Sequence, residues 1–125
     1  MPPERPGSAW RDSALLLDMK LAAEDAVRFV DDLDEAAFLA SDLHQSAVIR
    51  KLEVIGEAAG KVSPGFRAAH PEVAWREITG LRHRLVHGYG DVRLDIVWRV
   101  VKNLAPQLIF ILSALVPRNS ESNEG

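Results

Sequence analysis

At 125 residues, with 47% hydrophobic and 26% charged side chains, the chain suits one globular domain with a sizeable core and is neither disordered nor fibrous in composition. It has no cysteine, which excludes disulfides and thiolate chemistry and fits a cytoplasmic protein. A formal charge of -3 argues against a generic polyanion binder, and no DNA partner is expected.

The charge is unevenly spread. From Glu24 to Glu57 nine acids stand against Arg28, Arg50 and Lys51, whereas Arg76 to Arg93 holds four arginines against Glu77 and Asp91, so an anionic ligand would prefer the second region.

Residues 1–8 are polar and proline-rich, read as a flexible tail, and contain no apolar signal segment, so export is not expected. Ser8 can cap a helix over about Ala9 to Asp32, because Leu15, Met19, Ala22, Ala26, Phe29 and Leu33 recur at intervals of three and four. The cluster Asp31-Asp-Leu-Asp-Glu35 breaks it as a solvated corner, with Asp34 placed to cap a short turn through Phe38.

A second long helix is predicted from Ser41 to Val62, with Val48, Leu52, Ile55, Ala59 and Val62 facing inward. Arg50, Glu53, Glu57 and Lys61 form a separate charged stripe, which reads by itself as an exposed ladder of pairs at three and four residues. Gly56 and Gly60 each cost a helix about 1 kcal/mol relative to alanine, so a close approach by another backbone or a dimer seam is expected there.

Ser63-Pro64 starts a short helix through Ala69, and His70-Pro71 ends it. The next helix is predicted over about Ala74 to Val86. After Gly90, Asp91 is placed to cap a last helix, whose Leu94, Val97, Val101, Leu104, Leu108, Ile111 and Leu115 repeat at three and four and whose Pro106 should kink it. Its longest uninterrupted apolar stretch, Leu108 to Val116, falls far short of the roughly 20 residues that cross a bilayer, so no membrane partner is expected. Residues 117–125 read as a second polar, flexible tail.

No segment of useful length has a β period. The expectation is a single all-α domain spanning residues 1–125, an antiparallel bundle of three long helices and one medium helix with short helices in the connections.

The densest chemistry lies in Gly80-Leu-Arg-His-Arg-Leu-Val-His-Gly-Tyr-Gly-Asp91. If the helix continued to Tyr89, Arg82 would share a face with Trp75, Ile78, Leu85 and Tyr89, which by itself suits a snorkelling arginine. His83 and His87 would share another face, but the glutamate of the H-E-x-x-H pattern and a third ligand are missing, so no metal is expected. Arginine offers a planar, permanently charged fork for a phosphate, and histidine titrates near neutrality and suits proton transfer. On an ideal helix Arg82 and His87 lie about 140° apart, so they converge only if the helix ends before His87 or a second subunit completes the site. A general core histidine with surface arginines, or a plain dimerisation module, is the bland alternative.

Arg82-x4-His87-x-Tyr89 resembles the R-x4-6-H-x-Y signature of the HEPN superfamily. Ala47 to Ala59, His70 to Tyr89 and Asp95-Ile-Val-Trp98 are similar to its HepT-like toxin branch, over roughly residues 12 to 116. His83 departs from the pattern, since asparagine or another polar residue is common after the signature arginine.

The resemblance implies a homodimeric HEPN-like bundle and a metal-independent endoribonuclease without cofactor, acting as toxin of a type VII-like toxin–antitoxin pair. Its RNA substrate would be cleaved through 2′-hydroxyl attack, with His87 as base and Arg82 as charge stabiliser. A minimal nucleotidyltransferase would be the antitoxin partner, attaching AMP to Tyr89. His83, Arg50, Glu53 and Glu57 would be supporting residues, orienting the signature or lining the dimer cleft. A non-catalytic nucleotide-binding or regulatory partner of the nucleotidyltransferase is the alternative role.

Overall fold

The computed structural model describes residues 7–87 and 91–116. It is an all-α bundle whose backbone is α1 (Gly7–Phe29), α3 (Asp42–Lys61) and a long C-terminal helix made of α7 (Leu94–Arg99), a π-helical turn (Val100–Leu104) and α8 (Ala105–Leu115). Four short helices, α2 (Glu35–Leu39), α4 (Pro64–Ala69), α5 (Trp75–Thr79) and α6 (Leu81–Leu85), fill the connections. The one addition to the expected elements is a two-residue antiparallel ladder, β1 (Val86–His87) with β2 (Asp91–Val92).

The helix starts follow local hydrogen bonding. Asp34 accepts from the Ala37 amide at 2.9 Å, and the hydroxyls of Ser41 and Ser63 accept from the amides of His44 and Phe66, each at 3.3 Å. Each supplies an acceptor to a first-turn N–H that has no partner within its own helix. Ser8, in contrast, lies inside α1, which is already helical at Gly7, and so does not cap it.

α1 and α3 run antiparallel as the central pair. At one end both Asp12 oxygens are taken by Ser63, its amide at 2.9 Å and its hydroxyl at 2.6 Å; at the other, Lys51 meets Asp25 at 3.0 Å. Lys51 and then Arg28, each hydrogen-bonded to Asp25, hold its carboxyl below the ordinary aspartate range. Between these ends the contact is apolar: Leu16, Met19, Ala22, Ala23, Ala26 and Val30 of α1 and its exit turn are buried, as are Val48, Leu52, Ile55, Ala59 and Val62 on and just after α3. Burying a residue of the Leu, Ile or Val type contributes about 1.5–3 kcal/mol, so this inward stripe outweighs every surface pair on the same helices.

α8 closes the other flank of α1, and α5 and α6 pack on α3. By length and apolar content alone the 22-residue helix Leu94–Leu115 could cross a membrane. In the fold its Val97, Val101, Leu108 and Leu112 face the core. Trp98 of the Asp95-Ile-Val-Trp98 motif packs on Phe38, with ring centroids 5.3 Å apart, and ties α7 to α2.

Three further expectations need correction. The helix predicted over Ala74 to Val86 is interrupted at Gly80, whose φ of -89° and ψ of 1° lie outside the helical well, and it stops at Leu85. Asp91 pairs in β2 instead of capping the last helix, whose N-cap position falls on Arg93 with no side-chain bond. At Pro106 the expected disturbance takes the form of a π-helical turn just before it, in which the Ala105 amide bonds back to Val100; a wider turn accommodates a proline ring that would clash in a regular helix. The charged ladder on α3 is mostly unmade: among the described residues only Arg50 and Glu53 approach, at 3.8 Å, and Lys51 reaches across to α1 instead.

The two α3 glycines separate in meaning. A Cβ on Gly56 would stand 3.2 Å from the Ile78 carbonyl oxygen, so α5 makes the close approach that this position requires. A Cβ on Gly60 would meet nothing within 4 Å. Gly60→Ala is therefore expected to raise stability by about 0.5–1 kcal/mol through helix propensity, as read by urea unfolding. A loss of stability would mean that a second chain covers Gly60.

Candidate active site

The segment Gly80 to Asp91 is positioned by three features. Ile78, Leu81 and Leu85 are buried and pin α5 and α6 to the core. α6 then ends, and the Arg93 amide donates to the Leu85 carbonyl at 2.8 Å, drawing the chain after the hairpin back to the helix end. Val86 pairs opposite Val92 and His87 opposite Asp91.

This arrangement changes the relation of the signature residues. Arg82 does not lie on the apolar stripe; Leu81 takes that place, and Arg82, His83 and Arg84 are exposed. Among the described residues neither Arg82 nor Arg84 has an ion-pair partner. His87 sits in β1 and not on α6, so the common helical face predicted for His83 and His87 does not exist. The condition for Arg82 and His87 to converge within one chain, a helix that ends before His87, is met in the backbone. Tyr89 lies outside the described residues.

The possible supporting residues are on α3, which packs against α5 and α6. Glu53 lies one turn from Gly56 and so shares the side of α3 that meets α5. Arg50 and Glu57 are exposed. Among the described residues no hydrogen bond or ion pair joins Arg50, Glu53 or Glu57 to Arg82 or His83.

Behind the hairpin, Arg93 binds Asp95 through two nitrogens at 3.2 and 3.1 Å, and Arg99 reaches the same carboxylate at 3.3 Å. The Arg93 hydrogen bonds hold Asp95 below its ordinary range. Both cations are thereby committed at the start of α7, which leaves Arg82 and Arg84 as the cations beside the signature histidine in sequence that no described acid neutralises. Among the described residues no group of three or more His, Asp or Glu side chains is placed to hold a metal ion.

An all-α bundle that ends a helix between an exposed arginine and a histidine, and folds the following residues into a tight ladder, defines a helix-end site suited to an anion. Comparison with known proteins identifies the group. The family model described as "Ribonuclease HepT-like" matches residues 19–115. A candidate RNase of Methanocaldococcus jannaschii is 37% identical over 95 residues, covering 76% of this chain and 87% of the relative. The protein named "Probable ribonuclease HepT" in Thermococcus cleftensis is 38% identical over 93 residues, covering 74% of this chain and 84% of the relative. No solved structure matches the chain. The chain belongs to the HepT-like ribonuclease family.

Proposed function

We propose that this protein is a metal-independent endoribonuclease, acting in the cytoplasm as the toxin of a toxin–antitoxin pair. The observation that carries the reading is the helix end at Leu85, which separates exposed Arg82 from His87 by a change of backbone direction and not by a continuous helical face. The family membership supplies RNA as the substrate class.

The chemistry requires only groups that the chain holds. A base takes the proton of a substrate 2′-hydroxyl; its oxygen forms a bond to the adjacent phosphorus, and the bond from phosphorus to the 5′ oxygen of the next nucleotide breaks. An acid returns a proton to that leaving oxygen, giving a cyclic phosphate and a 5′-hydroxyl end. His87 is the base, and the Arg82 guanidinium neutralises the charge that grows on the phosphorane. The second proton-transfer group is His87 of a second copy, so a symmetric dimer brings two histidines and two arginines to one cleft. Cleavage should persist in EDTA.

Tyr89 is the control point, as the acceptor of AMP from a nucleotidyltransferase antitoxin. An added phosphate carries negative charge into the place where the RNA phosphate must sit, and the adenosine adds bulk. Intact-mass measurement after co-expression with a minimal nucleotidyltransferase should show added adenylate, mapped by peptide fragmentation to Tyr89 and lost in Tyr89→Phe. Adenylate found elsewhere would remove this control mechanism. Nucleotide binding without cleavage of any RNA would favour a regulatory, non-catalytic role for the same Arg82 site.

A further inference from the structure

The described cations divide into two sets. Lys20, Arg28, Arg50, Lys51, Arg93 and Arg99 each meet a carboxylate within 4 Å. Seven meet none among the described residues, although the sequence holds 18 acids against 15 lysines and arginines: Arg82 and Arg84 of the candidate site, Lys102, which stands over the Trp98 ring, and a remaining four, Arg11, Lys61, Arg67 and Arg76. A shortage of acids therefore does not explain why these four are unpaired.

The four come from distant parts of the sequence, yet they border one surface. Arg67 and Arg76 line a depression of about 500 Å³ together with Pro64 and Trp75. Pro64 and Arg67 also line an adjoining depression of about 380 Å³, bordered by Arg11 and Lys61. The two share a wall and read as one groove. The acid on its lining is Asp12, which is buried and has both oxygens occupied by Ser63. Asp12 acts there as a brace for the turn into α4.

The groove has an aromatic wall. Trp75 is only partly buried, its indole N–H donates to the His70 carbonyl at 2.9 Å, and its ring stands edge-on to Phe66 with centroids 6.3 Å apart. These contacts fix the ring at the groove's edge. Arg76 precedes Arg82 by six residues, across the break at Gly80 between α5 and α6.

The geometry points to a single-stranded RNA track: the Arg11, Lys61, Arg67 and Arg76 groove, with Trp75 on its wall, holds the substrate backbone outside the cleavage site. This assignment rests on the ribonuclease reading and specifies how that substrate is held. A groove of unpaired cations with a fixed aromatic ring suits a strand whose phosphates are evenly spaced and whose bases present flat faces, and it reads no sequence.

The probe is a fluorescein-labelled single-stranded oligonucleotide, about a dozen nucleotides long with 2′-O-methyl riboses, which cannot be cut by 2′-oxygen attack. Its binding is followed by anisotropy over a salt series, with cleavage of ordinary RNA measured alongside. Lys61→Gln/Arg76→Gln takes one exposed cation from each depression, so folding should persist, as circular dichroism would show. Arg28→Gln/Lys51→Gln makes the same charge change at the opposite end of the α1–α3 pair.

The groove variant should bind about tenfold more weakly, with the salt slope reduced by roughly 1.4, and the control should bind like wild type. Equal affinity and slope for the groove variant, with a wild type that binds and cleaves, would overturn the track and leave the ribonuclease reading standing. A wild type that neither binds nor cleaves RNA overturns both. Retained RNA affinity with lost binding of the nucleotidyltransferase would assign the groove to the protein partner and overturn the track.

Discussion

Arg82→Ala and His87→Ala are each expected to slow RNA cleavage by at least about a hundredfold, the scale set by removing one proton-transfer group or one preorganised charge from a transition state. Arg82 is exposed and carries no ion pair among the described residues, so its replacement should change stability by no more than about 0.5 kcal/mol. Loss of activity at unchanged urea midpoint would therefore be loss of chemistry. Arg82→Lys separates two roles. Lysine keeps the charge but not the planar fork, so it should recover only part of the rate if the guanidinium grips a phosphate through two nitrogens. Wild-type cleavage in both alanine variants would remove this site from the mechanism. Mixing wild type with His87→Ala tests the shared cleft, because a mixed dimer then holds one His87 where the mechanism uses two. Activity should fall with the square of the wild-type fraction, and a linear fall would mean that each chain works with its own histidine.

The main helices were legible because their signals are local and redundant. The stripe from Val48 to Val62 is buried at the spacing the sequence predicts, and Asp34 and Ser63 cap as their chemistry requires. Errors arose where a three-dimensional neighbour overrode a local preference. Asp91 is a good capping residue, but backbone pairing with His87 takes it into a strand. Glu57 and Lys61 stand at helical spacing on α3, yet no ion pair forms between them. Pro106 predicts a disturbance, and a wider turn stands just before it at Val100–Leu104.

The site was readable as a motif and less so as geometry. Arg82 and His87 are conspicuous by type and spacing, while the break at Gly80 and the stop at Leu85 depend on how Ile78, Leu81 and Leu85 seat against α3. The cationic groove shows the other limit. Arg76 belongs to the arginine-rich segment, but Arg11, Lys61 and Arg67 are separated from it in sequence and join it only through the packing of α1, α3 and α4.

Leu81→Ala should cost about 2–5 kcal/mol, a large part of the 5–15 kcal/mol that holds a typical domain folded. Leu81 is only 1% exposed, and its side chain continues the buried series Ile78, Leu81 and Leu85. A straight helical reading with Arg82 in the apolar stripe makes the opposite forecast: Arg82→Ala would lose stem packing and Leu81→Ala would be mild. Urea unfolding of the two neighbouring variants therefore decides which residue faces inward. Leu81→Met, which nearly conserves volume, should cost less than about 1.5 kcal/mol and keep cleavage. In Leu81→Ala, residual activity should follow the folded fraction as temperature is lowered, because the defect lies in the seating of α6. In Arg82→Ala no temperature should restore the rate, because the fold is already intact and the missing element is the charge at the phosphate. Equal destabilisation by both alanine substitutions would place Arg82 against the core and undo the assignment of its side chain to the site.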